Sequence, residues 1–244
     1  MVAGDDWWDG QAYARLLTGD RRCFAWEWLR RTPAYIDAYG TDSMAASAFG
    51  LLRYEDPSLD ALSARPFWCA GMDRAVLHAE ALTAQSPDMF DLACLSRFAT
   101  LLADRGEHVL LSDGLHSVRL DMISGSLATG PVALRWRIDG IADTGRQILA
   151  LRQFLALARS GRFSRSLYPA ERRAGRWVRM LRVHDALASG AIHREIAGVL
   201  FGADAAGPRW RVTANSCRLQ VQRLASGARR SITAGPAAWL GHDG

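Results

Sequence analysis

Apolar residues at the start of the chain recur at helical spacing. Trp7, Trp8, Tyr13, Leu16 and Leu17 are followed, after Gly19-Asp20, by Phe24, Trp26, Trp28 and Leu29. The pattern predicts two short helices sharing an aromatic face, with Pro33 closing the second and further helix over residues 34–52. A polar stretch containing Pro57 and Pro66 then places a domain boundary near residue 65. Residues 72–103 read as helical, with Ser86-Pro87-Asp88 starting a helix through Leu92, Leu95, Phe98 and Leu102.

The period changes next. Val109 to Ser112, Asp113-Gly114, and Leu115 to Met122 have the form of a hairpin with a two-residue turn, because Asp-Gly readily adopts positive φ. Past Gly130-Pro131, Val132, Leu134, Trp136 and Ile138 alternate with polar or small residues, as a half-buried strand requires. An antiparallel sheet of about three strands is predicted. From Asp143, read as an N-cap, Ile148, Leu151, Leu155 and Ala158 form one helical stripe that ends near Gly161.

The last third reads as consecutive helices. Pro169 suits a first helical position, and Trp177, Leu181 and His184 repeat at spacings of four and three before Ser189-Gly190. In AIHREIAGVLFG, Ile192, Ile196, Val199 and Leu200 share a side, and small Ala197 permits close approach by a following helix. A loop over residues 202–208 exceeds an ordinary helix-turn-helix turn. The helix expected from about Arg209 to Ser226 has Trp210, Ala214, Cys217, Val221 and Leu224 on one stripe, with Trp210 as anchor. Its other stripe is Arg211, Asn215, Arg218 and Gln222, residue types that read base edges. Arg209 and Arg223 flank it as phosphate contacts, and Arg229 and Arg230 extend the basic surface toward Trp239-Leu240.

Charge sharpens this picture. All 30 basic residues are arginine, which a GC-rich genome explains as well as nucleic-acid binding does. Their distribution is more informative: residues 1–158 hold 15 arginines against 20 acids, and residues 159–244 hold 15 against 5, a net of −5 beside a net of +10. Cys23, Cys69, Cys94 and Cys217 lie too far apart in sequence to form a compact ligand set, so no structural zinc is expected. No apolar run approaches membrane-spanning length, which predicts a cytoplasmic protein without a membrane partner. Fold class is therefore mostly α with a small antiparallel β-sheet, an α+β chain ending in an extended-turn helix-turn-helix. The expected segments are 1–65, aromatic-rich and helical; 66–105, a helical connection; and 106–244, sheet elements plus the DNA-binding helices.

An enzyme is the competing class. His108 and His116 flank the hairpin near Glu107 and Asp113, and His184 precedes Asp185. An Asp113-Gly114 turn would put Leu111, rather than His108, opposite His116, which argues against a shared metal. GxSxG, Walker, GxGxxG and HExxH motifs are all lacking. No catalytic residue, metal or cofactor is assigned.

The run from GEHVLLSDGLHSVRLDM through GPVALRWRIDG, ILALRQFLAL and GRFSRSLYPAERRAGRWVRMLRVHDALASGAIHREIAGVLFG to Trp239-Leu240 resembles a widespread proteobacterial domain. That domain is understood as an extended-turn variant of the helix-turn-helix. The N-terminal WDGQAYARLLTGDRRCFAWEWLRRTPAYIDAY is similar to a separate transcriptional-regulator-like domain often fused to it. Most specific are FAWEWLRR, residues 24–31, and REIAGVLFG, residues 194–202; residues 41–105 carry no part of the resemblance. The combination resembles the frameshifted excision activators of integrative and conjugative elements. The resemblance implies an activator on double-stranded promoter DNA, serving horizontal gene transfer. It also implies an N-terminal domain held against the far side of the C-terminal one, and a small acidic antiactivator of the same domain family as partner. Trp7, Trp8, Phe24, Trp26 and Trp28 are the expected interdomain residues, since that many exposed aromatics would make an unusual apolar patch. An antiactivator that only binds protein is the alternative, against which the basic C-terminal region argues.

Overall fold

A computed structural model describes residues 6–41, 43–83, 88–206 and 215–240. The chain divides into two compact units, one of Met1–Phe49, Asp56–Ala61 and Ala170–Gly244, the other of Gly50–Glu55 and Leu62–Pro169. These divisions differ from the expected 1–65, 66–105 and 106–244. The two chain ends share one unit because their aromatic and ionic side chains bury each other, a long-range pairing that linear composition does not display.

The middle of the chain forms the sheet unit. Its strands are β1 (Leu77–Leu82), β2 (Ala99–Ala103), β3 (Glu107–Ser112), β4 (Ser117–Ser124) and β5 (Ala133–Arg137), in the order β2-β3-β4-β1-β5. β1 runs parallel to β4 and antiparallel to β5. The expected three-stranded antiparallel sheet is thus a five-stranded mixed one, and much of the expected helix over 72–103 is extended. In LHAEAL, Leu77, Ala79 and Ala81 are buried while His78, Glu80 and Leu82 are half-buried. That period of two, satisfied by neighbours on both sides, overrides the helical preference of Leu, Ala and Glu. Glu80 is also ion-paired to Arg135, its cross-strand partner, at 2.9 Å.

Helix α3 (Thr144–Ser160) supplies the rest of this core. Phe154 is 2% exposed and meets Phe90 and Trp136 edge-on, each with ring centroids 5.0 Å away. Ala150, Phe154 and Leu157 are its fully buried apolar residues; Leu151, Leu155 and Ala158 are half-buried, and Ile148 is exposed. The helix is therefore rolled by about one residue from the expected stripe, roughly 100°, which seats the largest side chain deepest. Gly161 ends it in the left-handed region, φ 61°.

The β3–β4 connection spans Asp113 to His116 and is closed by Asp113, whose Oδ1 accepts from the backbone N–H groups of Leu115 and His116 at 3.0 and 2.8 Å. Four residues, instead of the predicted two, shift the register so that Leu111 faces Val118. Gly125, just after β4, has φ 72°, and a Cβ there would lie 2.2 Å from the Ala81 carbonyl oxygen. Replacing Gly125 by alanine combines backbone strain with a clash against main chain, and should destabilise the protein by about 2–4 kcal/mol. Thermal unfolding of the full chain checks this; an unchanged midpoint would refute it.

The other unit is helical. It contains a 3₁₀ turn at Gln11–Thr18, α1 (Arg21–Leu29), α2 (Pro33–Thr41), α4 (Ala174–Ala188), α5 (His193–Phe201), α6 (Asn215–Ala234) and α7 (Ala237–Leu240). Asp20 caps α1 by accepting from the backbone of Arg22 and Cys23. Pro33 opens α2, where its missing N–H costs nothing, rather than closing α1. α4 starts after, not at, Pro169; Glu171 pairs with Arg21 at 2.9 Å.

Candidate nucleic-acid interface

Small residues let the C-terminal helices approach closely. Ile196 and Ala197 of α5 are fully buried, with Val183 and Ala186 of α4 and Val221 and Ala225 of α6 in the same core. On α6, Gly227 faces Met180, whose methyl would lie 3.1 Å from an added Cβ. At the start of α5 the Ile192 N–H donates to Glu195 at 3.0 Å. Ile192 and Val199, expected on the buried side with Ile196, are exposed. Leu200, also expected on that side, and Phe201 are partly buried against the same core.

With Val221, Ala225 and Ala228 inward, Asn215, Gln222, Arg223, Arg229 and Arg230 of α6 are exposed. Arg218 is half-buried and donates from Nη2 to Asn215 Oδ1 at 2.8 Å, so these two side chains form one polar unit. Arg209, Trp210, Arg211 and Ala214 lie outside the described residues. After Gly202 comes a 3₁₀ turn at Ala203–Ala206, and the rest of the expected loop, residues 207–208, lies outside the described residues. Ala206 packs there so closely on Gly198 that an added Cβ would come within 2.9 Å.

The opposite side of α4 carries the N-terminal segment. Phe24 is fully buried, edge-on to Trp177 at 4.9 Å. Trp28 is stacked on Trp239 at 5.9 Å and edge-on to His184. Trp26 instead serves the N-terminal segment itself, meeting Tyr35 and donating its Nε1–H to the Leu59 carbonyl at 3.0 Å. Trp7 is half-buried against the α4–α5–α6 core, whereas Trp8 is 60% exposed. Their carbonyl groups accept from Arg182 at 2.9 and 3.0 Å.

Beneath these rings lies an ionic core that sequence reasoning missed. Arg31 donates from Nε and Nη2 to the two Asp185 oxygens, 2.7 Å each, and from Nη1 to Glu27. Arg30 also reaches Glu27 at 2.9 Å, and the other Glu27 oxygen accepts from the Ala61 N–H at 2.7 Å. The Tyr13 hydroxyl donates to Asp185 at 2.6 Å. Burial pushes the Asp185 carboxyl up, but hydrogen bonds from Arg31 and His184 and the Arg31 charge outweigh it and hold the group well below the usual carboxylate range. Tyr13 moves the other way, raised by burial and by the Asp185 charge. The i,i+3 and i,i+4 spacing of Glu27, Arg30 and Arg31 was visible in sequence. Their partner Asp185, 154 positions from Arg31, was not.

Among the described residues the histidines form no joint site. His108 is bonded to Asp121 at 2.7 Å, His116 to Asp113 at 3.1 Å and His184 to Asp185 at 3.2 Å. Among the described residues, no group of three or more His, Cys, Asp or Glu is placed to hold a metal ion, and no helix is long and apolar enough to cross a membrane.

Residues 138–235 match the family model described as "T6SS, Transcription factor, DNA binding domain", a span that includes α3, α4, α5 and α6. Residues 6–53 match the proteobacterial transcriptional regulator-like domain. Together these mark a DNA-binding transcriptional regulator. No curated protein and no solved structure gives a significant match to the chain. Both matched families are regulatory or DNA-binding domains rather than enzyme families. In this regulator the regulator-like segment supplies Phe24, Trp28 and Arg31, and the DNA-binding segment supplies Trp177, His184 and Asp185 to meet them.

Proposed function

We propose that the protein is a cytoplasmic transcriptional activator that reads double-stranded promoter DNA with the N-terminal part of α6, in an extended-turn helix-turn-helix formed with α5. Asn215, Arg218 and Gln222, with Arg211, face base edges; Arg209, Arg223 and Arg229 hold phosphates. One observation carries this reading: α6 buries Val221, Ala225 and Ala228 in the helical core while leaving Asn215, Gln222 and Arg223 exposed, within a segment that matches a DNA-binding family. Its target promoter belongs to the excision or transfer genes of an integrative and conjugative element. A small acidic antiactivator would act by competing for the N-terminal segment, which otherwise covers α4.

Fluorescence anisotropy with labelled specific and random duplexes, over a range of salt, tests this. Arg218→Ala should relax discrimination at one base position by about 1–3 kcal/mol, the range for a bidentate base contact. Arg223→Ala should weaken every duplex alike and reduce the salt slope by about one phosphate contact, through lost counterion release. Wild-type affinity and salt dependence in both variants would remove α6 as the reading element and favour an antiactivator that binds only protein.

A further inference from the structure

A second basic feature lies farther along α6. The C-terminal half of that helix, α4 and α7 enclose an open groove of about 650 Å³. Arg21, Arg173, Arg176 and Arg230 stand around it, Trp177 and Trp239 contribute its apolar lining, and no carboxylate among the described residues lines it. Glu171 neutralises Arg21 at 2.9 Å. Arg173, Arg176 and Arg230 are exposed and make no ion pair with an acid among the described residues. Three exposed guanidinium groups, from the start of α4 and from α6, therefore converge on one concavity, with only Arg173 partly balanced by the Glu171 charge. That convergence of like charge favours an anion in the groove.

We propose that this groove binds a small phosphorylated ligand of nucleotide size, with Arg173, Arg176 and Arg230 on its phosphates and its ring against Trp177 and Trp239. Guanidinium groups bind phosphate oxygens in pairs, which favours phosphate where several arginines meet without a carboxylate. The volume falls within the span of about 300–1,000 Å³ usual for small-molecule sites. A duplex offers a convex row of phosphates that would touch the rim of such a groove and leave its aromatic lining uncovered. Position separates the groove from the reading residues: Arg230 lies 15 residues beyond Asn215, about 22 Å along a helix. Arg230 lines the groove and Arg229 does not, so Arg230 is assigned to the ligand while Arg229 stays with the DNA phosphates. Because α4, α6 and α7 all contribute side chains, a bound ligand would brace the helix that carries the reading face.

Isothermal titration of the full-length protein with GTP, with ATP and with pyrophosphate tests the site. Saturable binding of a nucleotide at one site per chain is expected, with pyrophosphate weaker because it lacks the ring. Arg173→Gln/Arg176→Gln should lower nucleotide affinity at least tenfold, and Arg230→Gln, on the other helix, should lower it several-fold. Arg223→Ala should leave it unchanged. Absence of saturable binding up to millimolar nucleotide and pyrophosphate overturns the proposal, as does wild-type affinity in the arginine variants. So does a random duplex that displaces the nucleotide completely while the double variant loses duplex affinity by the same factor. That last result would make the groove a DNA phosphate clamp.

Discussion

Arg31→Met should be among the most damaging single substitutions in the helical unit, costing about 3–5 kcal/mol, the range for removing one partner of a buried ion pair. Arg31, Glu27 and Asp185 are each at least 95% buried. Methionine fills much of the same volume, so the loss would come from two carboxylates left short of their shared cation rather than from a cavity. Asp185 would keep only the Tyr13 hydroxyl and the His184 ring, and Glu27 would keep Arg30 and the Ala61 N–H. Urea unfolding followed by tryptophan fluorescence measures the effect. Adding Asp185→Leu to Arg31→Met should recover part of the loss, since the uncompensated charge goes with it. A single variant as stable as the wild type would mean that the ionic core does not hold the two ends of the chain together.

The same network sets a pH window. Asp185 has a depressed folded pKa, so its contribution is present above its unfolded value of about 3.9 and is lost as pH falls below that. Tyr13 has a raised folded pKa, so its contribution is present below about pH 10 and is lost as pH rises beyond it. With respect to these two groups, stability should be level between about pH 5 and pH 9 and decline on both sides. In Arg31→Met the acid decline should flatten, because the carboxyl no longer gains from ionising. An acid limb identical to the wild type would assign acid unfolding to other groups.

Trp28→Ala should cost about as much, on the order of 3–5 kcal/mol for a fully buried aromatic. Its ring is 2% exposed and lies between Trp239 of α7 and His184 of α4. Alanine would leave a space bounded by rigid rings, which relax poorly into it. Trp8→Ala is the matched control: at 60% exposure it should change stability by no more than about 0.5 kcal/mol. Equal effects from the two substitutions would contradict the packing of α1 on α4 and α7.

What could be read from sequence followed the range of the interaction that fixed it. Helices α3, α4 and α5 each fall within segments with clear helical spacing, and Gly161 and Gly190 adopt the positive φ expected at helix ends, whereas α6 continues to Ala234, eight residues past the expected end at Ser226. The inward face of α6 was legible at Val221, since an amphipathic stripe is a property of one helix. β1 was not legible, because LHAEAL has helix-forming residues and becomes a strand only between β4 and β5. Nor was the roll of α3, which depends on where the sheet accepts Phe154.

By itself, then, the sequence determined the basic C-terminal third, the helices there, the polar stripe containing Asn215, Arg218 and Gln222, and the aromatic surplus at the N-terminus. Each is a matter of composition or of spacing within about 20 residues. Tertiary structure decided the order and mixed direction of the five strands and the union of the chain ends. It also decided the meeting of Arg31 with Asp185 and of Arg173 and Arg176 with Arg230. Those pairings join segments dozens to more than a hundred residues apart, where no local period records them. They are selected when burial makes an unpaired charge or an exposed ring more costly than the chain entropy of bringing distant segments together.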